Sequence, residues 1–260
     1  MGGTQAIRGG GNGHGGLGNV LSGIAVAVGF ALFLGGFVWG ALVYRPYTVP
    51  TDSMMPTVRP GDRVLAQRIG GDEVRRGDVV VFTDTEWSDL PMVKRVVGIG
   101  GDTVKCCGAA GELTVNGTPL DEPYIDDTRP DTGLAVPPGQ AAPVGIPFEV
   151  TVPEGNLFLL GDRRSASLDS RSHLQEAGQG TVPRSGVNAR VDALAWPSAG
   201  MVERPGTYEA LPGGVSRPGP LLLQVAAVAA GAVLVVVGAA YGPLVRALGR
   251  GRRRERADAG

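Results

Sequence analysis

Two long uncharged apolar runs limit the possible folds of this chain more than any other feature of the sequence. No charged side chain occurs between Arg8 and Arg45, and residues 20–43 inside that window are almost wholly apolar. A second run, residues 220–245, is also uncharged and is rich in Leu, Val and Ala. Each run is long enough to cross the hydrocarbon core of a bilayer, which takes about 20 residues as a helix. The two runs therefore predict two transmembrane helices.

The first run is too long for a cleaved signal peptide, whose apolar region covers only about 7–15 residues. Its Leu, Ile, Val and Phe side chains favour insertion into the bilayer by about 4 to 8 kcal/mol. We therefore expect an uncleaved anchor. The alternative for either run is a buried helix of a soluble protein.

Arginines after the second run predict the orientation of the chain. Residues 246–260 contain six Arg and two acidic residues, and positive charge next to a span favours the cytoplasmic side. With two spans, both termini are then cytoplasmic and the middle of the chain lies outside the cell. The expected layout is a Gly-rich cytoplasmic tail (1–18), a transmembrane helix (19–43), an extracytoplasmic domain (44–217), a second transmembrane helix (220–245) and a basic cytoplasmic tail (246–260).

The middle of the chain is acidic and has the pattern of a β-rich domain. Between Arg45 and Arg217 there are 17 basic and 23 acidic residues, a formal charge of −6, which argues against a nucleic-acid partner. Short apolar runs alternate with Gly, Pro, Asn and Asp, and no long stretch has helical periodicity. Residues 126–147 are rich in Pro, Gly and Asp, which predicts an exposed loop. Strands are expected at 63–66, 78–82, 92–99, 113–115, 148–152, 157–160 and 189–194.

Few side chains outside the apolar runs could carry out chemistry. The chain has two His (14 and 173), two Lys (94 and 105) and two adjacent Cys (106 and 107). A zinc site needs three or four convergent ligands, and His173 with the Cys pair is a poor set, so we expect neither a metal nor another cofactor. The Cys pair is expected to be structural, either as a disulfide, which persists outside the cell, or as buried thiols.

Lys94 is the most informative of these residues. It lies in a strand-like run whose side chains alternate between faces, so Lys94 shares a face with Met92 and Val96, while Arg95 points the other way. Between apolar neighbours the charged form of a lysine is disfavoured, and its pKa falls below the usual value of about 10.4. A neutral amine can take a proton from a serine hydroxyl. The alternative is a lysine whose charge reaches water or a carboxylate.

Several short motifs, in order along residues 44–197, together resemble the sequence boxes of bacterial type I signal peptidases, the Ser/Lys leader peptidases of peptidase family S26. The first, Ser53-Met54-Met55-Pro56-Thr57, follows directly after the first apolar run. The others are Gly61-Asp62, Arg76-Gly77-Asp78, Lys94-Arg95, Gly101-Asp102, Glu122-Pro123-Tyr124 and Gly161-Asp162-x-Arg164-x-x-Ser167-x-Asp169-Ser170-Arg171. The added C-terminal span is similar to the layout of some family members from high-GC Gram-positive bacteria.

The resemblance implies a fold and an activity. The fold is a mainly β domain of twisted antiparallel sheets, flanked here by two transmembrane helices. The activity is that of a membrane-bound serine endopeptidase that removes signal peptides from exported preproteins. The implied partners are the signal peptides of secretory preproteins and membrane lipid.

The resemblance also implies roles for individual residues. Ser53 would be the nucleophile and Lys94 the general base, and Ser167 would orient the Lys94 amine. The Ser53 backbone N–H and the Thr51 hydroxyl would form the oxyanion hole, which contributes about 10²–10³ in rate per donor. Two structural ion pairs are implied near the site: Asp162 with Arg95, and Asp169 with Arg171.

The last motif departs from the family pattern at Arg163, Ser165, Ala166 and Leu168, and Ala189 stands where the family usually has Gly. Every position with an implied catalytic role is kept, so the departures bear on substrate preference more than on activity. Three alternatives stay open. They are a Ser/His peptidase of the endoplasmic-reticulum type with His173 as its base, a non-catalytic membrane scaffold with this fold, and a maturation peptidase with one dedicated substrate.

Overall fold

The computed structural model of the chain describes residues 13–108, 111–125 and 147–258. The chain divides into two compact units, one of Met1–Leu42 with Pro220–Gly260 and the other of Val43–Gly219. A loop is expected at 126–147, and residues 126–146 of it lie outside the described residues.

The first unit contains two helices, α1 (Gly13–Val43) and α2 (Leu221–Asp258). Within them, Gly18–Val43 and Leu221–Pro243 are long and apolar enough to cross a membrane. The two helices approach each other at glycines: a Cβ added to Gly29 would lie 2.8 Å from the carbonyl oxygen of Gly231. Close approach at small residues is typical of helix pairs in membranes, where there is no hydrophobic driving force between helices. The composition of this unit and the close approach of its two helices therefore fit a membrane protein.

The second unit is built from antiparallel strands. The strands are β1 (Tyr44–Thr48), β2 (Arg63–Gln67), β3 (Val79–Asp84), β4 (Ser88–Ile99), β5 (Thr103–Cys106), β6 (Leu113–Val115), β7 (Thr118–Pro119), β8 (Phe148–Thr151), β9 (Asn156–Leu160), β10 (Thr181–Pro183), β11 (Val187–Trp196) and β12 (Gly200–Met201). Within the described residues, an eight-stranded sheet has the order β1-β2-β11-β3-β4-β9-β10, with β12 paired to β11, and a four-stranded sheet has the order β7-β6-β5-β8. The mainly β, antiparallel fold with two flanking helices that the sequence predicts is confirmed. Short 3-10 turns lie at Gly71–Glu73, Arg164–Ala166, Ser170–His173, Arg184–Gly186 and Gly206–Tyr208.

All seven strands expected from the sequence are present, with ends that differ by at most four residues. The sequence does not predict strands β1, β5, β7, β10 and β12. Each has at most five residues, and all but β12 carry polar side chains or proline, as in β1 with Arg45 and Pro46, so their apolar pattern is weak. These strands form through pairing with their neighbours, as β1 does along its whole length with β2. Tertiary pairing rather than intrinsic preference therefore decides their conformation.

Strand β4 lies inside the large sheet, between β3 and β9. Its residue Lys94 is opposite Val80 on β3, and Arg95 is opposite Val79 on β3 and Leu160 on β9. Fully buried valines and leucines of these neighbouring strands form the core on both faces of the sheet. Two charged residues thus sit next to each other on an inner strand, where each one needs a partner.

The two cysteines lie away from this strand. Cys106 and Cys107 form a disulfide at the end of β5. Cys106 is buried in the core that covers the small sheet, together with Val104, Leu113 and Phe148. Its surroundings are apolar, which fits the structural role expected for the pair.

Candidate active site

Ser53 lies in the loop that joins β1 to β2, and backbone hydrogen bonds hold this loop closed. At its base, Val49 N–H donates to the Asp62 carbonyl at 2.9 Å and Gly61 N–H donates to the Val49 carbonyl at 2.8 Å. Met54 and Val58 anchor the loop in the core, where both side chains are fully buried. Ser53 itself is buried. The apolar residues around the serine therefore fix the position of its hydroxyl.

Lys94 reaches this hydroxyl from β4. Its Nζ donates a hydrogen bond to Ser53 Oγ at 2.8 Å, and the lysine side chain is buried. Burial lowers the pKa of Lys94, while the carboxylates of Asp169 and Asp162 oppose the shift and the Arg171 guanidinium adds to it. The lysine has a hydrogen bond to a neutral hydroxyl but no ion pair within 4 Å among the described residues. Burial therefore favours the neutral amine, the form that can accept a proton, more than water does.

Thr51 lies on the same loop as the serine. Its Oγ1 is 3.3 Å from Ser53 Oγ. The threonine hydroxyl is thus close to the atom that would attack a carbonyl group. A donor to a developing oxyanion must lie about 3 Å from the position where the oxyanion forms, so this hydroxyl is a candidate for that role.

The segment after β9 packs directly against the serine loop. Arg163 N–H donates to the Ser53 carbonyl at 3.0 Å. At Gly161 a Cβ would lie 2.2 Å from Ser167 Oγ and 2.5 Å from the Ser53 carbonyl oxygen. Only a glycine fits between the two serines, so the backbone at Gly161 sets the distance between them.

Ser167 is partly exposed, but its Oγ is buried at this contact and makes no well-formed hydrogen bond within the described part of the chain. The hydroxyl is still near enough to Asp169 to contribute to holding the pKa of that carboxylate low, after the larger effect of Arg171. Ser167 Oγ and Lys94 form no hydrogen bond among the described residues. The lysine is thus held by Ser53, and the second serine by the packing of Gly161.

Two ion pairs border the site. Arg95 donates to Asp162 through Nε at 2.8 Å and Nη2 at 2.7 Å, with both side chains almost completely buried. Arg171 donates to Asp169 through Nε and Nη2, both at 2.8 Å. Asp169 also accepts the Gly161 N–H at 3.0 Å. Because Asp162 directly follows Gly161 and Asp169 lies two residues after Ser167 in sequence, the pairs brace the segment that contacts the nucleophile.

A further buried pair was not assigned a role from the sequence. Arg164 donates to Glu122 through Nη1 at 3.0 Å and Nη2 at 2.5 Å, and both side chains are buried. Tyr124 donates to the same carboxylate at 2.5 Å, and the Arg95 guanidinium lies 4.2 Å from the centre of the Tyr124 ring. The only sequence signal for this cluster is that Glu122, Tyr124 and Arg164 all belong to the motifs quoted above.

Asp52 and Arg163 also form an ion pair, and this pair is partly exposed. It connects the residue before the nucleophile with the residue after Asp162. The sequence marked Arg163 as a departure from the family pattern but gave no indication of its partner.

His173, the alternative base, has other contacts. Its ring stacks on Trp87 at 4.4 Å between centres, and Nδ1 lies 2.7 Å from Glu176 Oε1. The nitrogen that contacts Ser53 Oγ belongs to Lys94. The geometry thus pairs the serine with the lysine and leaves the histidine in a separate contact.

Comparisons with known proteins identify relatives of one kind. A family model described as signal peptidase, peptidase S26, matches residues 18–196. A probable signal peptidase I of Mycobacterium leprae is 31% identical over 210 residues, which cover 62% of this chain and 71% of the relative. Signal peptidase I of Mycobacterium tuberculosis is 32% identical over 205 residues, 62% of this chain and 68% of the relative. Signal peptidase IB of Staphylococcus aureus is 32% identical over 180 residues, 67% of this chain and 87% of the relative. A crystal structure of a signal peptidase I from Enterococcus faecalis is 26% identical, covers 45% of this chain and 94% of that one, and superimposes with a TM-score of 0.35.

Proposed function

The chain belongs to the signal peptidase family of S26 peptidases, and we propose that Ser53 and Lys94 form its catalytic dyad. It is a serine peptidase that cleaves signal peptides, and its two long apolar helices fit a membrane protein. The observation that carries the dyad is the 2.8 Å contact between Lys94 Nζ and Ser53 Oγ in a buried site.

In the proposed reaction the neutral Lys94 amine takes the proton of the Ser53 hydroxyl. The serine oxygen attacks the scissile carbonyl carbon and forms a tetrahedral intermediate. Lys94, now an ammonium, gives its proton to the leaving amine, and the C–N bond breaks to leave an ester on Ser53. A water molecule then loses a proton to Lys94 and attacks the ester, so that the signal peptide leaves as a carboxylate and the serine regains its proton.

The oxyanion of the intermediate would accept hydrogen bonds from the Ser53 backbone N–H and from the Thr51 hydroxyl. Support for Thr51 is its position 3.3 Å from Ser53 Oγ. Ser167 would orient the Lys94 amine once substrate fills the site, and its support is a buried hydroxyl packed beside the serine loop. The pairs Arg95–Asp162 and Asp169–Arg171 would hold these catalytic groups in position and take no part in proton transfer.

The proposed arrangement in the membrane is a domain of residues 44–217 outside the cell, between spans at 19–43 and 220–245. The cytoplasmic tails would be residues 1–18 and 246–260. Support comes from the six Arg after the second span, which favour the cytoplasm. The substrates would be secretory preproteins whose signal peptides lie in the same bilayer, and membrane lipid would surround both spans.

The test is cleavage of a purified secretory precursor by the detergent-solubilised full-length protein, beside Ser53→Ala, Lys94→Ala and His173→Ala. We expect cleavage by the wild type and by His173→Ala, and none by the two dyad variants, with circular dichroism showing that both remain folded. Activity that survives Lys94→Ala but is lost in His173→Ala would move the base to the histidine. Failure of the wild-type protein to cleave any precursor would contradict the proposed function.

A further inference from the structure

One buried carboxylate, that of Asp192 on β11, accepts hydrogen bonds from both ends of the catalytic domain. Tyr44 Oη donates to Asp192 Oδ2 at 2.8 Å, and the Gly219 backbone N–H donates to the same oxygen at 3.1 Å. Tyr44 directly follows α1, and Gly219 lies two residues before α2 begins. Both connections to the apolar helices are therefore fastened at one atom, in a position with no exposure to solvent.

The packing at this point leaves no room for a side chain on the second connection. A Cβ at Gly219 would lie 2.3 Å from Asp192 Oδ2, 2.3 Å from Tyr44 Oη and 2.4 Å from Gln67 Oε1. All three neighbours are polar atoms that face the glycine backbone. Gly219 thus fits a polar cradle, which we call the clasp: Tyr44, Gln67, Asp192 and Gly219.

Two arginines complete the charge balance of the clasp. Arg204 Nη2 donates to Asp192 Oδ1 at 2.5 Å, and Arg190 Nε donates to the same oxygen at 3.3 Å. Arg190 Nη2 also donates to Gln67 Oε1 at 2.7 Å. The carboxylate is therefore fully partnered, with one oxygen bound to arginines and the other bound to the two chain connections.

The segment that leads to Gly219 is held along its length. Residues 205–219 are rich in Gly and Pro, a composition typical of a flexible linker. Instead, Arg204 Nε donates to Ser216 Oγ at 3.0 Å, Ser216 donates to Asp78, and Arg76 Nη1 donates to the Pro212 carbonyl at 2.6 Å. If residues 205–219 were a flexible linker, the second span would not restrain the domain. Because this segment is fixed to the domain, the second span can restrain the orientation of the domain.

We propose that Asp192 is a positioning residue for cleavage at the membrane, because it fastens both membrane connections to the domain at one point. This inference rests on the proposed function, in which the domain acts on precursors in the bilayer that holds its two helices. Two restrained tethers limit the reorientation of the domain more than one does, and they raise the effective concentration of the active site at the bilayer surface. The clasp thus gives the second span a role in presenting the active site to membrane-bound substrate.

The experiment compares two substrates with the full-length protein in vesicles of phosphatidylethanolamine and phosphatidylglycerol. One is a precursor inserted in the same bilayer, and the other is a soluble peptide that carries the cleavage site. The variants are Tyr44→Phe, which removes one hydrogen bond, and Gly219→Ala, whose added methyl group crowds the polar atoms of the clasp. Matched controls are Tyr47→Phe on the same strand and Gly206→Ala, where a Cβ would meet nothing within 4 Å.

We expect both clasp variants to lower kcat/KM for the inserted precursor about five-fold, the effect of one lost hydrogen bond, and to leave cleavage of the peptide unchanged. The controls should change neither. An equal loss with both substrates would mean that the clasp only stabilises the domain, and no loss with either would also overturn the positioning role.

Amide hydrogen exchange at residues 206–219 separates this inference from the proposed function. Faster exchange in the clasp variants with unchanged cleavage of the inserted precursor would overturn the positioning role alone. A wild-type protein that cleaves neither substrate would overturn the proposed function, and the positioning role with it.

Discussion

The amine nitrogen of Lys94 lies 2.8 Å from the hydroxyl oxygen of Ser53, and both side chains are buried. Burial lowers the pKa of Lys94 below the ordinary value of 10.5, although Asp169 and Asp162 partly oppose the shift. Since only the neutral amine can take the serine proton, kcat/KM should rise with pH until Lys94 loses its proton. We expect the midpoint of that rise, measured with a soluble peptide, to lie below 10.5.

Lys105→Ala is the matched control for this pH profile. Lys105 is the other lysine of the chain, about half-exposed, and its Nζ lies 3.0 Å from Glu149. Its removal should leave the profile unchanged. A midpoint at or above 10.5 in the wild type, or a profile that moves in Lys105→Ala, would contradict a buried lysine base.

The lowered pKa of Lys94 also predicts a conflict between activity and stability. Below the ordinary lysine pKa the unfolded chain carries the charge freely, whereas the folded protein must either bury it or give up the proton. The folded state is therefore penalised at neutral pH, and less so as pH rises towards the unfolded value. Lys94→Met should abolish cleavage and raise the free energy of unfolding by about 1 kcal/mol or more.

Denaturant unfolding of Lys94→Met and Lys105→Met checks this prediction. The Lys105 variant should gain nothing, because its charge is already partly exposed to solvent. A less stable Lys94→Met would mean that packing around the long side chain outweighs the burial of its amine.

The sequence predicted part of this site on physical grounds. Alternation along β4 separates Lys94 from Arg95, and the structure pairs Lys94 with Ser53 and Arg95 with Asp162. The convergence of Ser53, Lys94 and Ser167 could be expected only from the family resemblance, because they lie on three separate segments. Neither the sequence pattern nor the family resemblance predicted the clasp, because the Gly- and Pro-rich residues before Gly219 have the composition of a flexible linker. Its order comes from long-range contacts with Asp192 and Asp78, which no local pattern encodes.

Thr51 offers a test of the oxyanion hole, because its hydroxyl is 3.3 Å from Ser53 Oγ. Thr51→Val keeps the shape of the side chain and removes the donor, so kcat should fall about 10²-fold with little change in KM. Thr51→Ser restores a hydroxyl and should recover most of the activity. Equal losses in the valine and serine variants would assign Thr51 a packing role.

Gly161 sets the spacing between the nucleophile loop and Ser167. A Cβ there would lie 2.2 Å from Ser167 Oγ and 2.5 Å from the Ser53 carbonyl oxygen, so Gly161→Ala must push the two segments apart. A shift of about 1 Å in a reacting group can cost about 10²-fold in rate, and we expect a loss of that size in kcat. The measurement is cleavage of a soluble peptide beside Gly178→Ala, whose nearest contact would be an ordinary 3.5 Å. Full activity of Gly161→Ala would show that the spacing is not critical.

The ion pair between Asp52 and Arg163 joins the nucleophile loop to the segment after β9, alongside the hydrogen bond from Arg163 N–H to the Ser53 carbonyl. Both side chains are about 40% exposed, so the pair should contribute modestly, by about 0.2–1 kcal/mol. Asp52→Asn and Arg163→Gln should each lower kcat by up to about five-fold, since a looser loop holds Ser53 less firmly. High salt should lower the wild-type rate towards that of the variants, because it screens exposed charges.

The charge-swapped protein, with Asp52→Arg and Arg163→Asp together, separates pairing from the identity of either side chain. If the pair acts as a tie between the two segments, the swap should recover activity that each single swap loses, and the double-mutant cycle should give a coupling energy that salt reduces. A double variant that is as slow as the two single swaps combined would show that the residues act independently. Arg163 would then act on the nucleophile through its backbone N–H alone, and the unusual side chain at this position would be free to contact the substrate.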